Sequence, residues 1–228
     1  MRVSRLYHSG FAVELDDRVL VFDWYRGTLA TSCGKRAYVF VSHEHHDHYD
    51  PRIWGLRDEA RRTGAPEPTY VLDEDVAPFS PEGARVVMAT PSQTFDVDDM
   101  RIITLASNDE GVAFLVRTPG VTIYHGGDLN VWWWPNREVE LNELSDTICR
   151  QELRAIAGED VDVAFVPLDP RLGPDGARGL EAFMQVVGAR DVFPMHYADD
   201  RAGALALAEE PRLAPWRDRL HFEDECNL

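Results

Sequence analysis

Apolar and polar residues alternate through the first half of the chain, and the alternation predicts strands. Residues 11–24, FAVELDDRVLVFDW, carry two alternating apolar runs around Asp16-Asp17, the pattern of a hairpin. Ala37 to Val41 is a short apolar run ending at Ser42, which reads as a buried strand. Pro51 suits the first turn of a helix, and the pattern carries that helix to about Thr63. Further strands are predicted at 69–72, 84–88, 101–106, 112–117 and 121–125, the last two joined at Pro119-Gly120.

From Val139 the period becomes helical. Leu141, Leu144, Ile148 and Ala155 are expected on one face, and Gly158 ends the helix. A buried strand at 161–166, a helix at 177–187, a strand at 191–195, a helix at 202–209 and a last strand at 220–223 follow. There is no repeat, low-complexity tract or linker. The pattern predicts one α/β layered domain with mixed sheets over residues 1–228.

Composition narrows the function classes. Apolar residues make up 44%, enough for a sizeable core. The formal charge of −17 repels phosphate backbones and anionic membranes, so neither is an expected partner. No run approaches the ~18 apolar residues that a membrane span needs. Met1 to Ser9 hold no long apolar core, so no signal peptide is expected. Cys33, Cys149 and Cys226 are odd in number and widely spaced, which predicts neither a disulfide framework nor a cysteine-bound zinc. A reducing, cytoplasmic setting follows as the expectation.

The candidate chemistry lies in His43-Glu44-His45-His46-Asp47-His48, four of the eight histidines within six residues. In an extended loop, positions two apart point the same way, so His43 and His45 can clamp one ion. Asp47 and His48 lie beyond a bend and can face a second. Neutral imidazole and carboxylate suit zinc, manganese and iron. Two other motifs fail. His43-Glu44 opens like H-E-x-x-H, but Asp47 holds the second histidine position and the run follows a strand. His46-Asp47 has the form of the HD phosphohydrolase dyad, which belongs to all-helical proteins.

With this run in place, four segments in order resemble the metallo-β-lactamase superfamily, in its small stand-alone, lactonase-like hydrolases. They are Leu6 to Phe11, Ser42 to His48, Tyr124-His125-Gly126-Gly127-Asp128 and Pro194-Met195-His196. The resemblance implies a four-layer αβ/βα sandwich with two mixed β-sheets. It implies a first metal position with His43 and His45, a second with Asp47, His48 and His196, and Asp128 bridging them. One departure stands out: the family's further histidine ligand is missing, since no histidine occurs from Tyr49 to Tyr124. Asp109 could replace it as an oxygen donor, while Asn108 or Ser107 could hold a water. The second position is therefore expected to bind more tightly than the first.

The expected activity is metal-dependent hydrolysis of a small ester, lactone, amide or phosphodiester. One or two divalent ions are implied, zinc first, with manganese or iron as alternatives. Asp47 can orient the attacking water, and His125 can serve as proton donor or support. Trp132, in the run Trp132-Trp133-Trp134, and Arg171 are candidate substrate contacts; Arg171 has a surface ion pair with Asp169 or Asp175 as its alternative. His8 is near the motif segments without an assigned role. An iron-dependent oxidoreductase of the same fold, a non-catalytic metal- or ligand-binding module and, more remotely, a nuclease are the competing readings. Oligomeric state is not encoded in any visible pattern.

Overall fold

A computed structural model describes residues 1–30 and 34–228; Cys33 lies outside the described residues. The chain forms two compact units, residues 1–90 with 223–228, and residues 91–222.

The first unit is built on β1 (Arg2–Tyr7), β2 (Gly10–Glu14), β3 (Arg18–Phe22), β4 (Arg36–Val41), β5 (Thr69–Asp73) and β6 (Arg85–Ala89). The first three strands are antiparallel, with the acidic turn of the expected hairpin between β2 and β3. From β3 onward the strands run parallel. One face packs Val19, Val21, Val39, Val41, Tyr70 and Leu72 against Ile53 and Leu56. Leu56 belongs to α1 (Gly55–Thr63), which a short 3-10 turn beginning at Pro51 precedes. Asp50 starts that turn by accepting from the Arg52 N–H at 2.8 Å.

The second unit contains β7 (Thr94–Val97), β8 (Met100–Ala106), β9 (Val112–Thr118), β10 (Val121–His125), β11 (Val163–Pro167) and β12 (Asp191–Met195). Strands β7 to β10 are antiparallel neighbours, and β10, β11 and β12 are parallel. Its core joins this sheet to α2 (Val139–Leu153), α3 (Arg178–Val186) and α4 (Arg201–Ala208). The chain end, β13 (Glu225–Asn227), pairs with β1 of the first unit's sheet. The first sheet therefore has the order β13-β1-β2-β3-β4-β5-β6 and the second β12-β11-β10-β9-β8-β7. Both are mixed sheets flanked by helices, as the α/β reading requires.

Three expectations need correction. The last strand is at 225–227, while Leu220 makes only an isolated bridge to Val192. Strands β1 and β7 lie where no strand was expected. The buried face of α2 is Asn142, Ser145, Cys149 and Leu153. Leu141 and Leu144 are exposed. The helix is turned this way because its inward polar groups have work: Asn142 bonds both the N–H and the C=O of Trp134, and Ser145 Oγ accepts from Trp132 N–H.

In each unit the chemistry-bearing residues follow the carboxyl ends of parallel strands, where open α/β sheets place their ligand sites. Asp23 follows β3 and Ser42-His43 follow β4; Asp128 follows β10, Asp169 follows β11 and His196 follows β12.

Candidate metal centre

In the first unit, the loop after β4 bends back at once. The His45 carbonyl accepts from the N–H groups of both His48 and Tyr49 at 2.9 Å. This bend separates two pairs of donors. His43 Nε2 and His45 Nδ1 are 3.0 Å apart, a separation that suits two ligands of one ion. His43 and His48 are fully buried, and each offers a ring nitrogen within 4.8 Å of the other. Asp47 is partly exposed, and His46 stands in solvent with its side chain 96% exposed.

Asp23 organises this loop, and sequence reasoning missed it. It is fully buried and adopts φ +45°. One carboxylate oxygen accepts from Ser42 N–H at 2.8 Å. The other accepts from Ser42 Oγ at 2.7 Å and lies 2.7 Å from His48 Nδ1. Ser42 Oγ also lies 2.9 Å from His43 Nδ1. With Nδ1 engaged on both rings, Nε2 is the ligand atom that His43 and His48 would offer. The available signal was an aspartate placed directly after an apolar strand.

His8 comes into the same cluster. Its Nε2 is 3.5 Å from Asp47 Oδ2, and its ring meets His48 edge-on with centroids 6.0 Å apart. The polar contact from His8 and the neighbouring His48 hold the Asp47 carboxyl well below the usual carboxylate range.

The second unit supplies carboxylates. Asp128 is presented by the turn His125-Gly126-Gly127, in which Gly127 takes φ +50°. His125 is fully buried, and its Nδ1 accepts from Gly127 N–H at 3.2 Å. His196, just past β12, places Nε2 3.3 Å from Asp128 Oδ1. Its Nδ1 lies 3.0 Å from Asp169 Oδ2. Burial opposes ionisation of Asp169, yet the contacts from His196 and Arg171 outweigh it and bring its carboxyl down to about 2. Asp169 was expected only as an ion-pair partner of Arg171; here it plays for His196 the part that Asp23 plays for His48.

Arg171 takes the ion pair with Asp169, at 2.5 Å from Nη2. Its side chain is 60% exposed and its guanidinium lies 6.0 Å from the Trp134 ring centre. Trp132 is buried, donates Nε1–H to the Asp128 carbonyl at 3.0 Å and meets His196 edge-on at 5.3 Å. Trp132 and Trp134 lie nearly parallel, 10° apart in plane, while Trp133 packs on the core under Arg178.

The segment where the missing histidine was expected is also ordered by this network. Asn108 does not face a water site: its amide donates to Asn130 O at 2.8 Å and to Ser145, and its Oδ1 accepts from Asn130 N–H. Ser107 Oγ accepts from Asp109 N–H. Asp109 itself is exposed, with a carboxylate oxygen within 4.8 Å of one from Asp128. Gly179 permits this packing, because a Cβ there would collide with Asn130 Oδ1.

Among the described residues, six that are not glycine take positive φ, and three of them are His8, Asp23 and His196. Such conformations cost about 1–3 kcal/mol each and persist only where surrounding contacts impose them. Three of the six thus fall on residues of the histidine and aspartate clusters described above.

No protein-family model matches the chain. A UPF0173 metal-dependent hydrolase of Pyrobaculum calidifontis is 27% identical, over 86% of this chain and 84% of the relative. Igni18, a metallo hydrolase of Ignicoccus hospitalis, shares the fold with a TM-score of 0.62 at 15% identity, over 100% of this chain and 98% of that one. A metallo-β-lactamase superfamily protein of Thermotoga maritima has a TM-score of 0.50 at 18% identity, over 88% of this chain and 77% of that one. The chain is thus similar over most of its length to metal-dependent hydrolases and shares the fold of metallo-β-lactamase superfamily proteins.

Proposed function

We propose that the chain hydrolyses a small-molecule ester, lactone, amide or phosphodiester. The observation that carries this reading is the state of three histidines. His43, His48 and His196 each have Nδ1 engaged, by Ser42, Asp23 and Asp169, which supports Nε2 as the atom each would offer an ion. Paired with Asp47, Asp109 and Asp128, this donor set suits one or two divalent ions. Zinc is the first choice, and manganese or iron follow if Asp109 replaces an imidazole.

In this reading His43 and His45 serve a first position, Asp47, His48 and His196 a second, and Asp128 both. These residues would hold a divalent ion, which when bound would supply the acidity that brings the pKa of water near 7 and the charge that polarises the oxygen under attack. The protein's own groups do the rest. Asp47, held as a carboxylate, orients the attacking water. His125 supports the turn that presents Asp128, because its Nδ1 is already committed to Gly127. Trp134 offers an apolar face to the substrate, backed by the buried Trp132. Arg171, with its charge partly satisfied by Asp169, steers a carboxylate or phosphate. A small molecule is the expected partner, and the charge of −17 argues against nucleic acid. For location we propose the cytoplasm, on the spacing and odd number of the cysteines.

Turnover of a panel of lactones, esters and phosphodiesters tests the reading. Metal-stripped protein should be inactive and recover on reloading with zinc or manganese. Retention of metal with no turnover on any class would favour a binding module instead.

A further inference from the structure

We propose that His8 is itself a metal ligand, at the position that Asp47 and His48 build. The inference rests on the metal-centre reading above and adds to it a residue from a different strand pair.

The backbone is the first observation. Tyr7 pairs with Gly10, so His8-Ser9 form a two-residue hairpin turn between β1 and β2. His8 takes φ +51°, at the first position of that turn. Two-residue turns with positive φ at this place favour glycine. A bulky imidazole there is locally unfavourable, so the turn itself does not explain the residue. His8 is only 6% exposed, against Tyr25, His48 and Asp47.

The second observation is the spacing. His8 Nε2 and Asp47 Oδ2 are 3.5 Å apart. That separation stands at the long limit of an N–H···O hydrogen bond. Two donors on one tetrahedral ion, with bonds of about 2.0–2.1 Å, stand about 3.3 Å apart. One donor atom from each of His8, Asp47 and His48 falls within 4.8 Å of the others. Gly10 holds the turn in place: an added Cβ would press on the Asp23 carbonyl at 3.0 Å. The turn that carries His8 is thus seated beside Asp23, the residue that orients His48.

Cobalt(II), loaded into the metal-stripped full chain, is the probe. His8→Asn keeps a residue that tolerates positive φ, and His8→Gly supplies the residue the turn favours. Both should leave the melting temperature of the metal-free protein near that of the wild type. Both should bind cobalt(II) about 10–100-fold more weakly and change the position or intensity of its visible band. Unchanged affinity and band would overturn the proposal. So would weaker binding with an unchanged band, which would make His8 only a support for Asp47. If the wild type gave no cobalt(II) band, or His48→Ala bound like the wild type, the metal-centre reading would fail with it.

Discussion

The donor sets of the two units are built in opposite ways. In residues 1–90 the candidate ligands of the histidine loop, three imidazoles and the Asp47 carboxylate, are packed into a single six-residue run, and the buried Asp23 aligns that run through Ser42 and His48. In residues 91–222 the candidates Asp109, Asp128 and His196 are scattered over two strand ends and a hairpin loop, and two of them are carboxylates. The first arrangement is fixed by local chain geometry. The second depends on a network reaching across the unit, through Asn108, Ser145, Trp132 and Asp169. The shared feature is a buried aspartate on the Nδ1 of a candidate ligand histidine, Asp23 on His48 and Asp169 on His196. Such partners fix the tautomer and ring orientation of a metal-binding histidine.

The largest effect expected from breaking this parallel comes from Asp23→Asn and Asp169→Asn. Each should weaken metal binding about 10–100-fold, as loss of an outer partner does. Titration of metal-stripped protein with zinc checks this. An effect confined to Asp23→Asn would show that the parallel is only geometric.

Asp109 sharpens the contrast between imidazole and carboxylate donors. Asp109→His should shift preference from manganese toward zinc by about tenfold, and Asp109→Ala should weaken the first position for both. Competition between the two metals, followed by metal analysis, reads this directly.

Arg171→Ala should raise KM for an anionic substrate about tenfold, the value of one charge-assisted hydrogen bond, with a smaller change in kcat. A larger loss in kcat than in KM would point to its hold on Asp169 instead.

Asp73 gives the smallest effect and stands as a control outside the donor set. Burial pushes its carboxyl up to about 6. In the unfolded chain it ionises near 3.9, so this group lowers stability as pH rises from about 4 to about 6, and the loss persists above. Its Oδ1 accepts from Asp75 N–H, which asparagine can also do. Asp73→Asn should therefore raise the melting temperature by roughly 2–6 °C at pH 7.5 and little at pH 4.

The same contrast explains what was legible in the sequence. The histidine run could be read because its ligands are contiguous and follow an apolar strand. Asp128 and His196 could be placed by resemblance, through the segments around them. Asp23 and Asp169 could not, because their contacts span 25 and 27 residues and arise from sheet packing. The α2 face was misread for a related reason. Hydrophobic periodicity assumes that apolar residues point inward, but here Asn142 and Ser145 do, to hold the tryptophan segment. Strand β13 is polar, Glu225-Cys226-Asn227, and exists through its pairing with β1, which no local pattern announces.

The most direct test of the account is the metal-to-protein ratio after dialysis of the wild type, His48→Ala and His196→Ala. The account predicts that the wild type keeps a divalent ion while each variant loses it, with secondary structure by circular dichroism unchanged. Wild-type metal content in both variants would contradict it.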